Sequence, residues 1–147
     1  MQGPTTYPIE FWMDFHVAEQ IHEIWHDVHS KSIAFPETVK RLMQLGVGRY
    51  HVDYVAQTIT SYIGGSVDVA NVSGRLEKVE RKFTWDGDKV REAILKVQGG
   101  SVSYGEFSKL IIESGVTNYW AYLDGRRVIY MGDLGDFHVE WFPGAKP

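Results

Sequence analysis

The chain is 147 residues long, with 23% charged residues, a formal net charge of −4 at pH 7 and no cysteine. This length is typical of one domain, the acidic balance argues against non-specific nucleic-acid binding, and the lack of cysteine excludes disulfides and thiolate zinc clusters. Because no apolar run approaches 18 residues and no signal-peptide pattern opens the chain, we expect a cytoplasmic protein without a membrane partner.

The beginning of the chain is predicted to be an N-terminal extension over residues 1–15. It contains Gly3, Pro4 and Pro8 and lies outside an internal repeat. Residues 16–147 are predicted to form a single domain made of two repeats, at about 16–73 and 85–143. Each repeat alone would be marginal in size, so we expect the two to share one core.

The first repeat begins with a predicted helix whose apolar residues recur at helical spacing. These residues are Val17, Ile21, Ile24, Trp25 and Val28. A second helix is predicted to start near Pro36, which suits a first-turn position, and to end at Gly46, which suits a helix C-terminus. Alternating patterns over residues 50–54 and 59–63 indicate two strands, and a third strand is predicted at 67–72.

A charged connector at residues 74–82 joins the repeats, and its sparse apolar residues do not distinguish a strand from a loop. The second repeat then opens with a helix that Asp86 or Asp88 is predicted to cap. Its apolar stripe consists of Val90, Ala93, Ile94 and Val97. The next predicted helix ends at Gly115, as its counterpart ends at Gly46.

Three strands are predicted to complete the second repeat. Residues 119–123 and 128–131 flank Asp124-Gly125, a dipeptide typical of tight β-hairpins. The last strand is predicted at 137–142, where a proline follows.

Residues 16–56 and 85–125 repeat one pattern at a fixed offset of 69 positions, and eight of the 41 aligned pairs are identical. The identical pairs are Glu23/Glu92, Val28/Val97, Ser32/Ser101, Glu37/Glu106, Lys40/Lys109, Gly46/Gly115, Val47/Val116 and Tyr50/Tyr119. Beyond them we predict a slip to an offset of 68, which aligns Tyr62 with Tyr130. The repeat predicts an α+β fold: two helix–helix–strand–strand–strand units related by a pseudo-two-fold axis, with one or two antiparallel sheets packed against helices.

A resemblance to a known family extends over roughly positions 17–143, and it rests on residues that shape turns and pack the core rather than on active-site motifs. These residues are His26, Phe35-Pro36, Leu42, Leu45-Gly46-Val47, Tyr50, Gly100, Tyr104, Phe107, Ser114-Gly115-Val116, Tyr119-Trp120, Val139-Glu140 and Pro143. With them the chain resembles the bacterial YbcV-like family of unknown function, some members of which are labelled phage envelope protein. The resemblance implies a bacterial or prophage origin, and it supplies no catalytic residues.

Four of the six histidines lie between residues 16 and 29. His22, His26 and His29 fall on one stripe of the predicted helix, at the boundary between its apolar face and solvent. The spacing of His22 and His26, or of His26 and His29, is typical of a helical metal-binding pair, which would need a third ligand from elsewhere. Three interpretations stay open: a divalent metal site, pH-dependent assembly through histidines, and plain packing at the boundary.

Aromatic residues occupy both faces of the strands in the second repeat. On strand 119–123, Tyr119 and Leu123 are predicted to face one side, and Trp120 and Tyr122 the other. A face without helices would expose aromatic surface, which a symmetric homodimer would bury. Stacking of nucleic-acid bases is an alternative that the acidic composition disfavours, and ordinary core packing is a third.

From these patterns we predict a non-enzymatic binding or self-associating module. The candidate residues that bind a ligand or partner are Trp120, Tyr122, Tyr50 and Tyr119. The alternative is a small-ligand or metal-binding protein, or an enzyme, with a pocket at the junction of the repeats lined by His22 and His26. No catalytic residue is identified, and a divalent metal is the one candidate cofactor.

Overall fold

A computed structural model describes residues 9–31, 33–72 and 84–145 of the chain, with side chains from residue 15 onward. The predicted connector at 74–82, and residues 1–8 of the predicted extension, lie outside the described residues. The first repeat contains α1 (Ile9–Lys31), α2 (Phe35–Gln44), β1 (Arg49–Asp53), β2 (Thr58–Ile63) and β3 (Ser66–Asn71). The second contains α3 (Gly87–Gln98), α4 (Tyr104–Glu113), β4 (Asn118–Tyr122), β5 (Arg127–Met131) and β6 (Phe137–Trp141).

The predicted α+β class is confirmed, and the helix–helix–strand–strand–strand order occurs twice along the described chain. Helix α1 is longer than its apolar stripe predicts, because it begins at Ile9 and continues without a break through residue 15. The division into an extension and a two-repeat domain stays a prediction. None of the described helices combines the length and the apolar character that crossing a bilayer requires.

All six described strands form one antiparallel sheet in the order β3-β2-β1-β4-β5-β6. The two repeats therefore meet at the centre, where β1 pairs with β4. In that pairing His51 lies opposite Trp120, and these two residues are also 69 positions apart. An axis that exchanges the repeats must then pass between His51 and Trp120, perpendicular to the sheet. The predicted pseudo-two-fold axis is located by this register.

The predicted slip to an offset of 68 is wrong. Tyr62 pairs with the first residue of β1, and Met131 pairs with the first residue of β4, so Tyr62 corresponds to Met131 rather than to Tyr130. Gln57 and Arg126 agree with this, since they are 69 positions apart and have φ angles of 59° and 58° in equivalent hairpins. The shift in register instead comes one hairpin later, where the β5–β6 loop is longer than the β2–β3 turn.

Local sequence explains where the helices begin. The Asp86 side chain accepts hydrogen bonds from two backbone N–H groups at the start of α3, as predicted. Ser103 and Glu106 form a reciprocal capping box at the start of α4. At the equivalent position before α2 stands Ala34, which has the same extended backbone but no side-chain cap. The two repeats thus share a helix boundary and differ in how well it is capped.

Gly46 and Gly115 follow α2 and α4 with φ angles of 90° and 99°, values that favour glycine. The second has an additional reason to be glycine. A Cβ atom built on Gly115 would lie 2.5 Å from the Trp85 backbone, whereas one on Gly46 would meet its nearest neighbour at 3.6 Å. The chain leading into α3 therefore packs directly on the α4–β4 turn.

The helices pack on one face of the sheet, and the core lies between them. Strand positions alternate between buried and half-buried in β1, β4 and β5. The buried positions include Tyr50, Val52, Tyr119 and Ala121, which form one hydrophobic cluster with side chains from all four helices. Both repeats contribute to this cluster, so neither has a core of its own.

Candidate functional site

The other face of the sheet, which we call the open face, carries the side chains that alternate with the core. Cross-strand partners point to the same face, so the strand register defines its composition. Its residues on β1 and β2 are Arg49, His51, Asp53, Thr58, Thr60 and Tyr62; those on β4 and β5 are Asn118, Trp120, Tyr122, Arg127, Ile129 and Met131; β3 and β6 add Val67, Val69, Asn71, Phe137, Val139 and Trp141. Three of the edge residues are more than half exposed. Large apolar and aromatic surface is therefore available on this face.

One row across the open face alternates aromatic and cationic side chains on five neighbouring strands. In strand order it consists of Tyr62, Arg49, Tyr122, Arg127 and Trp141, and we call it the arginine–aromatic row. The Arg49 guanidinium carbon lies 3.8 Å from the centre of the Tyr62 ring and 5.1 Å from that of Trp120. The Arg127 guanidinium carbon lies 3.9 Å from the centre of the Trp141 ring. Both cations are held against π-faces, an arrangement favourable to arginine.

The guanidinium groups of this row have no carboxylate partner among the described residues. Arg49 forms no hydrogen bond or ion pair there, and Arg127 donates one hydrogen bond, from Nε to the Gly125 carbonyl at 3.2 Å. Arginine presents five N–H donors, and most of the donors on both side chains are not used by any described residue. The acid on the open face, Asp53, lies four residues along β1 from Arg49, about 13 Å away. Its carboxylate accepts from the backbone N–H groups of Val55 and Ala56.

Trp120 lies beside the row, at the centre of the open face. Its ring is 4.5 Å from that of His51 and 5.7 Å from that of Tyr62, centre to centre. The rings of Trp120 and Tyr122 are nearly parallel, with 22° between their planes and 5.8 Å between their centres. His51 is oriented by a hydrogen bond of 2.9 Å between its Nε2 and Asn118 Oδ1. Two of the predicted binding residues, Trp120 and Tyr122, thus form one aromatic surface with the row.

The row exists at one end of the open face only. Each residue of the row has an equivalent in the other repeat. Taken in strand order from Tyr62 to Trp141, the equivalents are Met131, Asn118, Asp53, Thr58 and Asn71. The last pair is 70 positions apart rather than 69, because the β5–β6 loop is longer. None of these equivalents is aromatic or basic. By contrast, Tyr50 and Tyr119 are equivalent, identical and on the helix side. This identical pair in the core contrasts with the row, which only one end of the open face carries.

The structure places the other two predicted binding residues in the core. Tyr50 and Tyr119 are 1% and 3% exposed, on the opposite face from Trp120 and Tyr122. The four residues therefore do not form one surface. Sequence alternation within a strand already separates Tyr119 from Trp120, but nothing local indicates which of the two faces the helices cover.

Tyr50 and Tyr119 belong to a buried hydroxyl cluster that also contains Tyr54, Tyr104 and Ser108. The Tyr104 and Tyr119 hydroxyls hydrogen-bond at 2.9 Å. Burial raises the pKa of all four tyrosines above the ordinary value, and the neighbouring tyrosines contribute. The Tyr54 and Ser108 hydroxyls form no hydrogen bond with a described residue. Neutral, solvent-excluded phenols of this kind stabilise a core through packing and do not act as bases at neutral pH.

The three histidines of the predicted metal stripe have separate surroundings. His22 Nε2 lies 2.9 Å from Asp68 Oδ2 on β3, and His26 is exposed. His29 donates from Nδ1 to the Trp25 carbonyl at 2.6 Å, and its ring packs edge-on against Tyr104. Among the residues the structure describes, no three histidine or acidic side chains are grouped closely enough to hold a metal ion. A metal at these histidines stays a prediction.

A small depression lies between α1 and the β2–β3 hairpin, within the first repeat. Its volume of about 30 Å³ would hold one or two water molecules. Its lining includes Ile21, Ser61 and Asp68, and His22 contacts it through Asp68. The pocket predicted at the junction of the repeats, lined by His22 and His26, stays a prediction.

Four members of the arginine–aromatic row were not selected from the sequence: Arg49, Tyr62, Arg127 and Trp141. The alternating pattern of β1 and β2 contains the necessary signal for Arg49 and Tyr62, because hairpin partners share a face. Their contact with Trp120 depends on β1 lying next to β4. That neighbourhood is a tertiary feature.

Comparison with known proteins adds one match. Residues 22–137 match the model of a family described as a protein of unknown function, DUF1398. No curated protein matches the chain significantly. The matched segment covers α2 to β5 in full and takes in both central strands, so the whole arginine–aromatic row except Trp141 lies within it.

Proposed function

The chain belongs to the DUF1398 family of proteins of unknown function, and we propose that it is a non-enzymatic binding module whose partner lies on the open face. The partner carries negative charge and contacts the arginine–aromatic row. This keeps the binding function predicted for Trp120 and Tyr122, and it moves Tyr50 and Tyr119 from the binding surface to the core that supports it.

One observation carries the proposal: Arg49 and Arg127 are half-buried residues whose guanidinium carbons lie 3.8 and 3.9 Å from the centres of aromatic rings, and neither has a carboxylate partner in the described part of the chain. Placing a cation in a partly desolvated position costs free energy unless an opposite charge compensates. Cation–π contacts compensate in part and leave the N–H edges of the guanidinium free. An anionic partner would complete the site.

Self-association of the open face into a homodimer is less well supported. Face-to-face pairing would bring together four arginines, Arg49 and Arg127 from each copy, against two copies of Asp53. That leaves cations without partners in a dry interface.

The other sequence-based predictions remain as they stood. The cytoplasmic location, the YbcV-like or prophage origin, the division at residue 15 and the alternative pocket near His22 and His26 stay predictions. The His22–Asp68 contact supports an edge interaction between α1 and β3 as well as it supports a ligand site. We therefore place no second function beside the first.

Titration of three anionic polymers tests the proposal: oligothymidylate, polyphosphate and polyglutamate, each read by fluorescence anisotropy. We expect at least one to bind at micromolar concentration. The variant R49Q should weaken that binding, while R91Q, which removes the same charge from the helix side, should not. The proposal fails if no anionic polymer binds, or if R49Q and R91Q weaken binding equally.

A further inference from the structure

We infer that the open face binds single-stranded nucleic acid, with bases stacked on Trp120 and its neighbours and phosphates held by Arg49 and Arg127. This inference rests on the proposed function and specifies its ligand. Single-stranded nucleic acid combines negatively charged phosphates with planar bases. The row alternates arginines, which can bind the phosphates, with aromatic rings, on which the bases can stack.

The aromatic part of the surface suits base stacking. Trp120 and Tyr122 stack on each other, with 5.8 Å between ring centres, on the side of the sheet that the described helices leave uncovered. Every base has a π-face, so such a surface binds single strands with little sequence preference. A duplex keeps its bases stacked on one another, and therefore does not offer them to this surface.

The cationic part suits a phosphate backbone. The row runs across five strands, about 19 Å at a spacing of about 4.8 Å, with Arg49 and Arg127 at its second and fourth positions. Exposed Arg126 adjoins one of them in the β4–β5 turn. Arginine is the residue that combines phosphate hydrogen bonding with stacking on aromatic faces. Cations and rings are thus placed to contact a strand that crosses the sheet.

The acidic net charge, which argued against nucleic acid in the sequence, is unevenly distributed. Four acidic side chains with ion-pair partners lie on the helices, at Asp27, Glu37, Asp88 and Glu92. Asp68 and Glu140, which contact histidines, point to the helix side of the sheet. The open face holds two arginines and Asp53, which lies at the far end from the row, while the β4–β5 turn beside the row carries exposed Asp124 as well as Arg126. Local charge is what a ligand in contact meets, because salt screens charges beyond about 8–10 Å.

The first experiment measures binding of fluorescein-labelled ten-nucleotide oligomers, rU10 and dT10, by anisotropy at low salt. We expect both to bind, and W120A and R49Q to weaken binding about fivefold or more, with R91Q within twofold of the unsubstituted protein. In R49Q, the slope of the logarithm of the binding constant against the logarithm of the salt concentration should be smaller in magnitude by about 0.7. Circular dichroism and thermal unfolding verify that each variant is folded.

Comparison probes separate the failure of this inference from failure of the proposed function. An abasic ten-mer carries the phosphates without bases and should bind at least fivefold more weakly than dT10, as should a duplex. Equal binding of the abasic strand would overturn base stacking while leaving an anion-binding face. Tighter, Arg49-dependent binding of polyglutamate would overturn a nucleic-acid ligand and identify an acidic protein partner. Binding of no probe at all would overturn both.

Discussion

His51 and Trp120 lie directly opposite each other on the two central strands, and each occupies the other's position in the repeat. Their rings are 4.5 Å apart, and the pseudo-two-fold axis passes between them. The axis makes these two positions equivalent, but one carries an imidazole and the other an indole. One residue away, Tyr50 and Tyr119 are identical and buried. The identical pair Tyr50 and Tyr119 lies on the helix side of the sheet, whereas the arginine–aromatic row has no counterpart on the open face, where we place function.

Two tryptophans test which face of the sheet is open. Trp25 is 1% exposed and packs against Tyr50 at 4.8 Å between ring centres, so W25A should lower the free energy of unfolding by about 3–5 kcal/mol. Trp120 makes cross-strand contacts on the open face, and W120A should cost about 1 kcal/mol. Urea unfolding measures both. Equal losses would contradict the assignment of an open face.

The unequal helix caps of the two repeats predict opposite effects at equivalent positions. S103A removes a capping box from α4 and should destabilise the protein by about 1 kcal/mol. A34S creates the same Ser-x-x-Glu pattern before α2, where Glu37 already stands at the third helical position, and should stabilise by about 0.5–1 kcal/mol. Thermal unfolding of the two variants and their combination measures this. A destabilised A34S would contradict the equivalence of the two helix starts.

The buried hydroxyl cluster predicts a difference between two tyrosine-to-phenylalanine changes. The Tyr54 hydroxyl is buried without a hydrogen bond to a described residue, so Y54F should change stability by less than about 0.5 kcal/mol or increase it. Y119F removes the partner of the Tyr104 hydroxyl and should cost about 1–2 kcal/mol. Chemical denaturation compares the pair. A larger loss in Y54F than in Y119F would show that Tyr54 has a strong polar partner in solution.

Burial of the core tyrosines predicts unfolding at alkaline pH. Burial raises the pKa of Tyr50, Tyr54, Tyr104, Tyr119 and Tyr130 in the folded protein, while the unfolded chain titrates near the ordinary value of 10. Above pH 10 the unfolded state therefore binds fewer protons than the folded state, and the free energy of unfolding falls as the pH rises further toward the raised pKa values. Below pH 10 this stability is fully present.

Two signals recorded together check the alkaline prediction. Tyrosinate absorbance at 295 nm from the buried groups should rise only as the far-ultraviolet circular dichroism is lost. Y130F should make the transition less steep in pH, since one raised group is removed. Ionisation of the buried tyrosines well before any loss of secondary structure would contradict their enclosure.

Particular residues show how far sequence alone could predict the candidate site. The alternation within β4 separates Trp120 and Tyr122 from Tyr119, and the structure places these two on the open face. Tyr50 lies with Tyr119 on the helix side, because identity between repeats marks a shared structural position and carries no information about exposure. The histidine stripe was predicted from helical spacing alone. In the fold, β3 provides Asp68 for His22, and the helix backbone accepts from His29.

The sequence by itself determined the duplication, the order of helices and strands, and the caps and glycines that bound them. These features depend on periodicity and on backbone contacts within a few residues, so they can be read locally. The tertiary structure decided that β1 pairs with β4 in the register that opposes His51 and Trp120, and that the helices cover the Tyr50–Tyr119 face. Pairing between strands about 70 residues apart depends on how two apolar surfaces pack together, and so the contact of Arg49 with Trp120 exists only in the folded sheet.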